Sequence, residues 1–339
     1  MAEKQSSQIK NKERPKVVVD CDAGSDDVFA LAMLIAAHKL ENIELLAITC
    51  VDGNTSVDNV VKNVFRTLHV CDASNIPVFK GANSALLNVN DEYKNIAFHG
   101  LDGLGDVFVN KPVDIRALKE EHAVCALHRI SNEYHGQVTV ICLGPLTNIA
   151  LTMKMYPQFV NSVDKFLVMG GNNTAVGNTT SQAEFNFYAD PESVHIVLSN
   201  VKKNLYLLPW ETCMRSTITH EWRKTVVGKI NNPVNNFLST IDDAIYDQDK
   251  KIKVPFYRPC DAFVSAFFLR PDIAKSIKMY HIDIELNGKR TRGQVVIDHL
   301  MMNEPNAYII EEINYELFKD LMIFTADPNT EKSRELLNW

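Results

Sequence analysis

The sequence has no CxxC pair, no apolar run of the roughly 18 residues that a membrane span requires, and no Gly/Ser/Pro-rich tract to divide it. It also shows no internal repeat and no low-complexity segment. Seven scattered cysteines, an odd number, give neither a disulfide framework nor a zinc site. They fit a reducing compartment, so a cytoplasmic location is expected. Residues 1–15 are polar and charged without an apolar segment, which reads as a disordered leader rather than a signal peptide. The longest apolar stretch, 28–37, is too short for a bilayer and follows acidic residues directly, so it is expected to be a buried helix. A formal net charge of -7 speaks against nucleic acid or an anionic membrane as partner, and says nothing about small neutral ligands.

What is present is globular composition: 46% hydrophobic and 23% charged residues, enough for a sizeable core. Short β-branched runs at 16–20, 43–50, 138–143, 165–169 and 204–208 read as buried strands. Between them, 26–38, 56–70, 114–134, 148–155 and 191–199 read as helices. Strand and helix alternate, which predicts an α/β fold with a doubly wound, mostly parallel open sheet of Rossmann-like type. Beyond about residue 210 the pattern becomes mostly helical, with a short helix at 260–269 and a strand or two within 280–297. The expectation is one domain over 16–339 carrying a C-terminal helical lobe.

Ligands of open α/β sheets sit outside the carboxyl ends of the strands, so the segments just after each strand are the ones to inspect. The first is Asp20-Cys21-Asp22-Ala23-Gly24-Ser25-Asp26-Asp27, four carboxylates within eight residues. A helix N-terminus favours an anion by about 0.3–1 kcal/mol, which does not offset the repulsion of several carboxylates held together. A divalent cation with oxygen ligands resolves the conflict, and calcium tolerates irregular loops better than magnesium. An ordinary helix cap would need only one or two such residues. The site is not an EF-hand, because Leu31 stands where the twelfth-position glutamate would be. No glycine-rich phosphate loop follows the strand either.

The pattern Asp-x-Asp-x-Gly-x-Asp-Asp after an apolar strand resembles the signature of inosine–uridine preferring nucleoside hydrolases. Four further segments fit the resemblance in order: Asp52-Gly53-Asn54, Leu143-Gly144-Pro145, the run Met169-Gly170-Gly171 through Glu184-Phe185-Asn186 to Asp190-Pro191, and Arg258-Pro259-Cys260-Asp261. Taken alone, each has a plainer reading as turn, edge strand or helix cap. The resemblance implies calcium-dependent cleavage of the ribose–base bond. Asp22 is then the general base, and Asp22, Asp27, Asp261 and the Leu143 carbonyl hold the ion. Asp26, Asn54, Asn178, Glu184, Asn186 and Asp261 hold the ribose, and His99 lines the base end. It also implies a homodimer or homotetramer.

One position departs from the pattern. Broad-range members of that family carry a histidine before the last aspartate and purine-preferring members a tryptophan, whereas this chain has Cys260. Base preference and the leaving-group acid are left open, with His99, Tyr246 and Tyr257 as candidates. Two other readings compete. A haloacid-dehalogenase-type phosphatase also starts strand–Asp-x-Asp, but has Thr or Val where Gly24 stands here. A ribose- or nucleoside-binding protein that has lost turnover is the alternative outside catalysis.

Overall fold

The computed structural model describes residues 13–87, 98–251 and 255–337; the expected leader lies outside them as far as residue 12. Among the described residues the strands are β1 (Lys16–Cys21), β2 (Glu44–Cys50), β3 (Val78–Lys80), β4 (Val138–Cys142), β5 (Val163–Met169), β6 (Leu205–Leu208), β7 (Ala274–Tyr280), β8 (Ile282–Ile284), β9 (Val295–Ile297) and β10 (Ala307–Ile313). Eight form one sheet in the order β3-β2-β1-β4-β5-β6-β10-β7, parallel throughout except that β7 runs antiparallel to β10. β8 and β9 make a separate antiparallel pair.

All six residues of β1 and all five of β4 are buried, as a sheet covered on both faces requires. Val17, Val19 and Cys21 face one core and Val18 the other, the period-2 alternation of a strand. The chain runs from β1 outward to β3, then returns to place β4 on the other side of β1. The winding reverses there, so a crevice opens at the carboxyl ends of β1 and β4. The Ser25–Lys39 helix is buried at every position from Asp27 to Ala37. It packs against the helices Val57–Val70, Pro233–Lys251, Cys260–Leu269 and Tyr315–Ala326, which explains why it is apolar all round. No described helix is long and apolar enough to cross a membrane.

The expected alternation and the helical C-terminal region are present. Two features differ in detail. The helix expected at 114–134 begins at Ala123, because the preceding segment lies extended beside β3, with the Lys119 N–H donating to the Val78 carbonyl at 3.0 Å. β7 and β10, within the region read as helical, extend the main sheet by two strands.

Candidate active site

The sheet and two helices converge on a cleft of about 1320 Å³ above the carboxyl ends of β1 and β4. Asp22 follows β1 directly, Asp27 sits in the first turn of the Ser25–Lys39 helix, and Asp261 sits in the first turn of the Cys260–Leu269 helix. Because those two helices pack side by side, residues more than 230 positions apart in sequence share one floor (261 − 27 = 234). Asp22 and Asp27 are fully buried and Asp261 is 3% exposed. Oxygens of Asp26, Asp27 and Asp261 lie within 4.8 Å of one another.

The carboxylates are in mutual conflict. Burial, then the charge of Asp26, pushes Asp27 up to about 7. Burial likewise raises Asp22 and Asp261 well above the usual carboxylate range, with the neighbouring aspartates adding to it. Asp27 contacts both Asp22 and Asp261 through its carboxyl group, an arrangement that needs shared protons or a cation between them. One oxygen each of Asp26, Asp27 and Asp261 is buried without a hydrogen-bond partner. Buried acceptors of this kind, all oxygen, suit a hard divalent cation. The residues present therefore fit a metal ion of that class.

Backbone geometry holds the cluster open. Ala23, between Asp22 and Gly24, adopts φ of 35°, in the left-handed region that alanine avoids. Its carbonyl is pinned by the buried Asn63 side chain at 3.0 Å. The Gly24 N–H donates to Asp27 Oδ2 at 2.8 Å. Asn54 donates to both oxygens of Asp22, through its backbone N–H at 2.7 Å and its Nδ2 at 3.1 Å. A methyl group on Gly53 would overlap the Asp22 carboxylate, so only glycine fits beside it.

The opposite wall is built by the Gly-Gly and Glu-Phe-Asn segments. Glu184 caps the Phe185–Ala189 helix, accepting from the N–H groups of Asn186 at 2.8 Å and Phe187 at 3.1 Å. It also accepts from Gly171 N–H at 2.7 Å, and Gly171 itself has φ of 61°. Burial nonetheless pushes the Glu184 carboxyl up to about 7. Asn186 donates its side-chain amide to the Leu143 carbonyl at 2.7 Å, so these two predicted site residues meet. Asn178 lines the cleft with its Oδ1 accepting from Phe185 N–H at 2.8 Å.

Asp20, the first carboxylate of the cluster, stands apart. Thr49 donates to it at 2.5 Å and Asn148 at 2.8 Å, while Asn148 also donates to the Cys50 carbonyl and accepts from Ala82 N–H. Burial lifts Asp20 to about 7. Together these residues latch β1, β2 and the chain beyond β3.

His99 reaches the cleft with Nδ1 accepting from Ser25 N–H at 3.3 Å and lying 2.7 Å from Ser25 Oγ. Burial lowers its pKa, so the ring is neutral. Accepting at Nδ1 puts its proton on Nε2, 3.8 Å from Asp26 Oδ1.

The far end of the cleft is built by residues between 210 and 260, most of which sequence reasoning missed. Trp210, His220, Arg223, Asp242 and Arg258 line it beside Tyr246, Tyr257 and Cys260. Tyr257 donates its hydroxyl to Asp242 Oδ1 at 3.1 Å, and Asp242 Oδ2 lies 2.7 Å from Arg223 Nη2. Burial, then Asp242, raises the Tyr257 phenol well above its ordinary value. The Tyr246 ring lies against His220 with centroids 4.7 Å apart. The Cys260 thiol donates to the Arg258 carbonyl at 3.4 Å. Contact with the Cys213 thiol, then burial, raises its pKa well above normal.

The sequence model for "Inosine-uridine preferring nucleoside hydrolase" matches residues 17–320. A pyrimidine-specific ribonucleoside hydrolase of Salmonella schwarzengrund is 29% identical over 313 residues, covering 90% of this chain and 96% of that protein. The solved structure of an inosine-guanosine nucleoside hydrolase superposes with a TM-score of 0.82 at 26% identity, covering 92% of this chain and 98% of that one. A purine-preferring ribonucleoside hydrolase from Gardnerella vaginalis shares the fold with a TM-score of 0.83 at 22% identity, covering 92% and 98%.

Proposed function

Because the chain belongs to the inosine-uridine preferring nucleoside hydrolase family, a nucleosidase, we propose that it uses a calcium ion held by its aspartate cluster to hydrolyse the N-glycosidic bond of ribonucleosides. The observation that carries the metal reading is the meeting of Asp26, Asp27 and Asp261 within 4.8 Å, each with a buried, unpartnered oxygen. Asp22, Asp27 and Asp261, with the Leu143 carbonyl, would hold the ion. Asp26, first assigned to ribose, falls inside the same tight group and is a further candidate ligand. A bound calcium ion would supply a fixed position and a lowered pKa to the attacking water.

The chain's own residues carry the remaining tasks. Cleavage builds positive charge on the ribose ring and negative charge on the departing base. Asp22 takes the proton of the attacking water, its orientation set by the two hydrogen bonds from Asn54. Asn54, Asn178, Glu184, Asn186 and Asp261 face the sugar, and their binding energy aligns the reacting bond. His99, set against Ser25 through Nδ1, lines the cleft beside Asp26.

The test is release of free base and reducing sugar from inosine and uridine, with chelator and with calcium restored. Turnover that chelator abolishes and calcium restores supports the reading. Binding of nucleoside without turnover would mark a binding protein instead, and hydrolysis of phosphate esters alone would mark a phosphatase.

A further inference from the structure

The cleft is electrically lopsided. Its ribose end is crowded with carboxylates alone, whereas its far end carries rings and cations together with Glu221, Asp242 and Asp243. Three Lys or Arg side chains line it among the described residues: Arg223, Lys224 and Arg258. Arg223 is paired with Asp242 at 2.7 Å and Lys224 with Asp243 at 3.0 Å. Arg258 has no carboxylate within ion-pair distance among the described residues, and its Nε is buried without a hydrogen-bond partner. Its guanidinium lies over the Trp210 ring, 5.9 Å from the centroid, a platform that fixes a cation without neutralising it.

Position along the chain adds a second constraint. Arg258 precedes Asp261 by three residues, so their backbones are separated by at most about 11 Å. Asp261 belongs to the carboxylate floor, and Arg258, which also lines the cleft, therefore stands close to that floor. Of the other candidates the exposed Tyr246 lies with its ring against His220, and three are committed elsewhere. Tyr257 donates to Asp242, the Cys260 thiol to the Arg258 carbonyl, and His99 faces Ser25 and Asp26.

We infer that Arg258 is the leaving-group residue, stabilising the negative charge that develops on the departing base. The inference rests on the hydrolase reading above and names the residue serving the other half of that reaction. The C1′–N bond breaks with its electron pair passing to the base nitrogen, while the water oxygen bonds to C1′. One water proton goes to Asp22 and then to solvent, and solvent protonates the base nitrogen. A guanidinium stays cationic throughout, so it acts as a fixed electrophile rather than as an acid. Its planar fork suits the adjacent ring nitrogen and carbonyl oxygen of a purine or pyrimidine anion.

The experiment compares Arg258→Gln and Arg258→Lys with the natural enzyme on inosine, uridine and 4-nitrophenyl β-D-ribofuranoside. The nitrophenolate departs as a stable anion and needs no help. In Arg258→Gln, kcat should fall ~100-fold on both nucleosides and less than ~5-fold on the nitrophenyl riboside. Arg258→Lys should recover part of the loss on nucleosides alone. Equal losses on all three substrates, or nucleoside losses under ~3-fold, would overturn the inference. If Arg258→Gln does not fold, the ratio of nucleoside to nitrophenyl turnover in Arg258→Lys decides: a fallen ratio supports it and an unchanged ratio refutes it. A natural enzyme that cleaves none of the three overturns the hydrolase reading itself, and this inference with it.

Discussion

Asn54 grips Asp22 at both carboxylate oxygens, at 2.7 Å through its backbone and 3.1 Å through its side chain, and its Nδ2 also reaches Asp27 Oδ2 at 3.3 Å. One amide thus spans the proposed base and a proposed metal ligand. Hydrogen bonds to charged groups contribute about 1.5–3 kcal/mol each, so Asn54→Ala should lower kcat/KM by roughly 10- to 100-fold. Asn54→Asp should do worse, because a further carboxylate joins the cluster, and should lower the melting temperature of the metal-free protein. Steady-state kinetics and thermal melts check both. Full activity in Asn54→Ala would separate Asn54 from the chemistry.

Glu184 gives a pH dependence of definite sign. Its carboxyl is raised from 4.5 to about 7 by burial. Between those values the folded protein keeps a proton that the unfolded chain releases. Stability therefore falls as pH rises through that window, by up to roughly 3 kcal/mol for this group alone. Glu184→Gln removes that contribution, so urea unfolding of the metal-free protein at pH 5 and pH 7 should show a shallower decline than in the natural chain. An unchanged decline would contradict the burial argument.

Cys260 is expected to be dispensable as an acid. Its thiol is held protonated by the Cys213 contact and by burial, and its hydrogen is directed to a backbone carbonyl. Cys260→Ser preserves size and a donor, so turnover on inosine and uridine should change by less than ~10-fold, far below the ~10²–10⁴ cost of losing a general acid. A hundredfold loss with calcium still bound would give Cys260 a chemical part.

Much of the site was legible because its chemistry is concentrated. Four aspartates at a strand end are more than a helix cap needs, although Asp20 proves to be a latch between strands, and the Gly-Gly and Glu-Phe-Asn segments fit the family pattern. Asp261 was legible only through the family pattern, since helix packing rather than sequence proximity brings it to Asp27. The Leu143 carbonyl leaves no side-chain trace, and Asn148 reads only as the start of a helix although it latches two strands. Trp210, Arg223 and Asp242 are spread over some thirty positions with no spacing that signals a site, and only folding gathers them beside Arg258. β7 was hidden for a different reason. It is an edge strand with most residues exposed or half-exposed, so it lacks the apolar run that marks the buried strands.

The most direct test of the central claim is to strip the protein with chelator and titrate calcium back while following inosine hydrolysis and bound metal together, in the natural chain and in Asp27→Asn. Asp27→Asn is isosteric and removes one of the crowded charges, so the metal-free fold should be at least as stable as the natural one. The account predicts that activity of the natural chain returns in proportion to one bound ion per chain, and that calcium raises its melting temperature. In Asp27→Asn, turnover and tight calcium binding should be lost together. Undiminished hydrolysis by the stripped natural chain, or full activity and calcium content in Asp27→Asn, would contradict it.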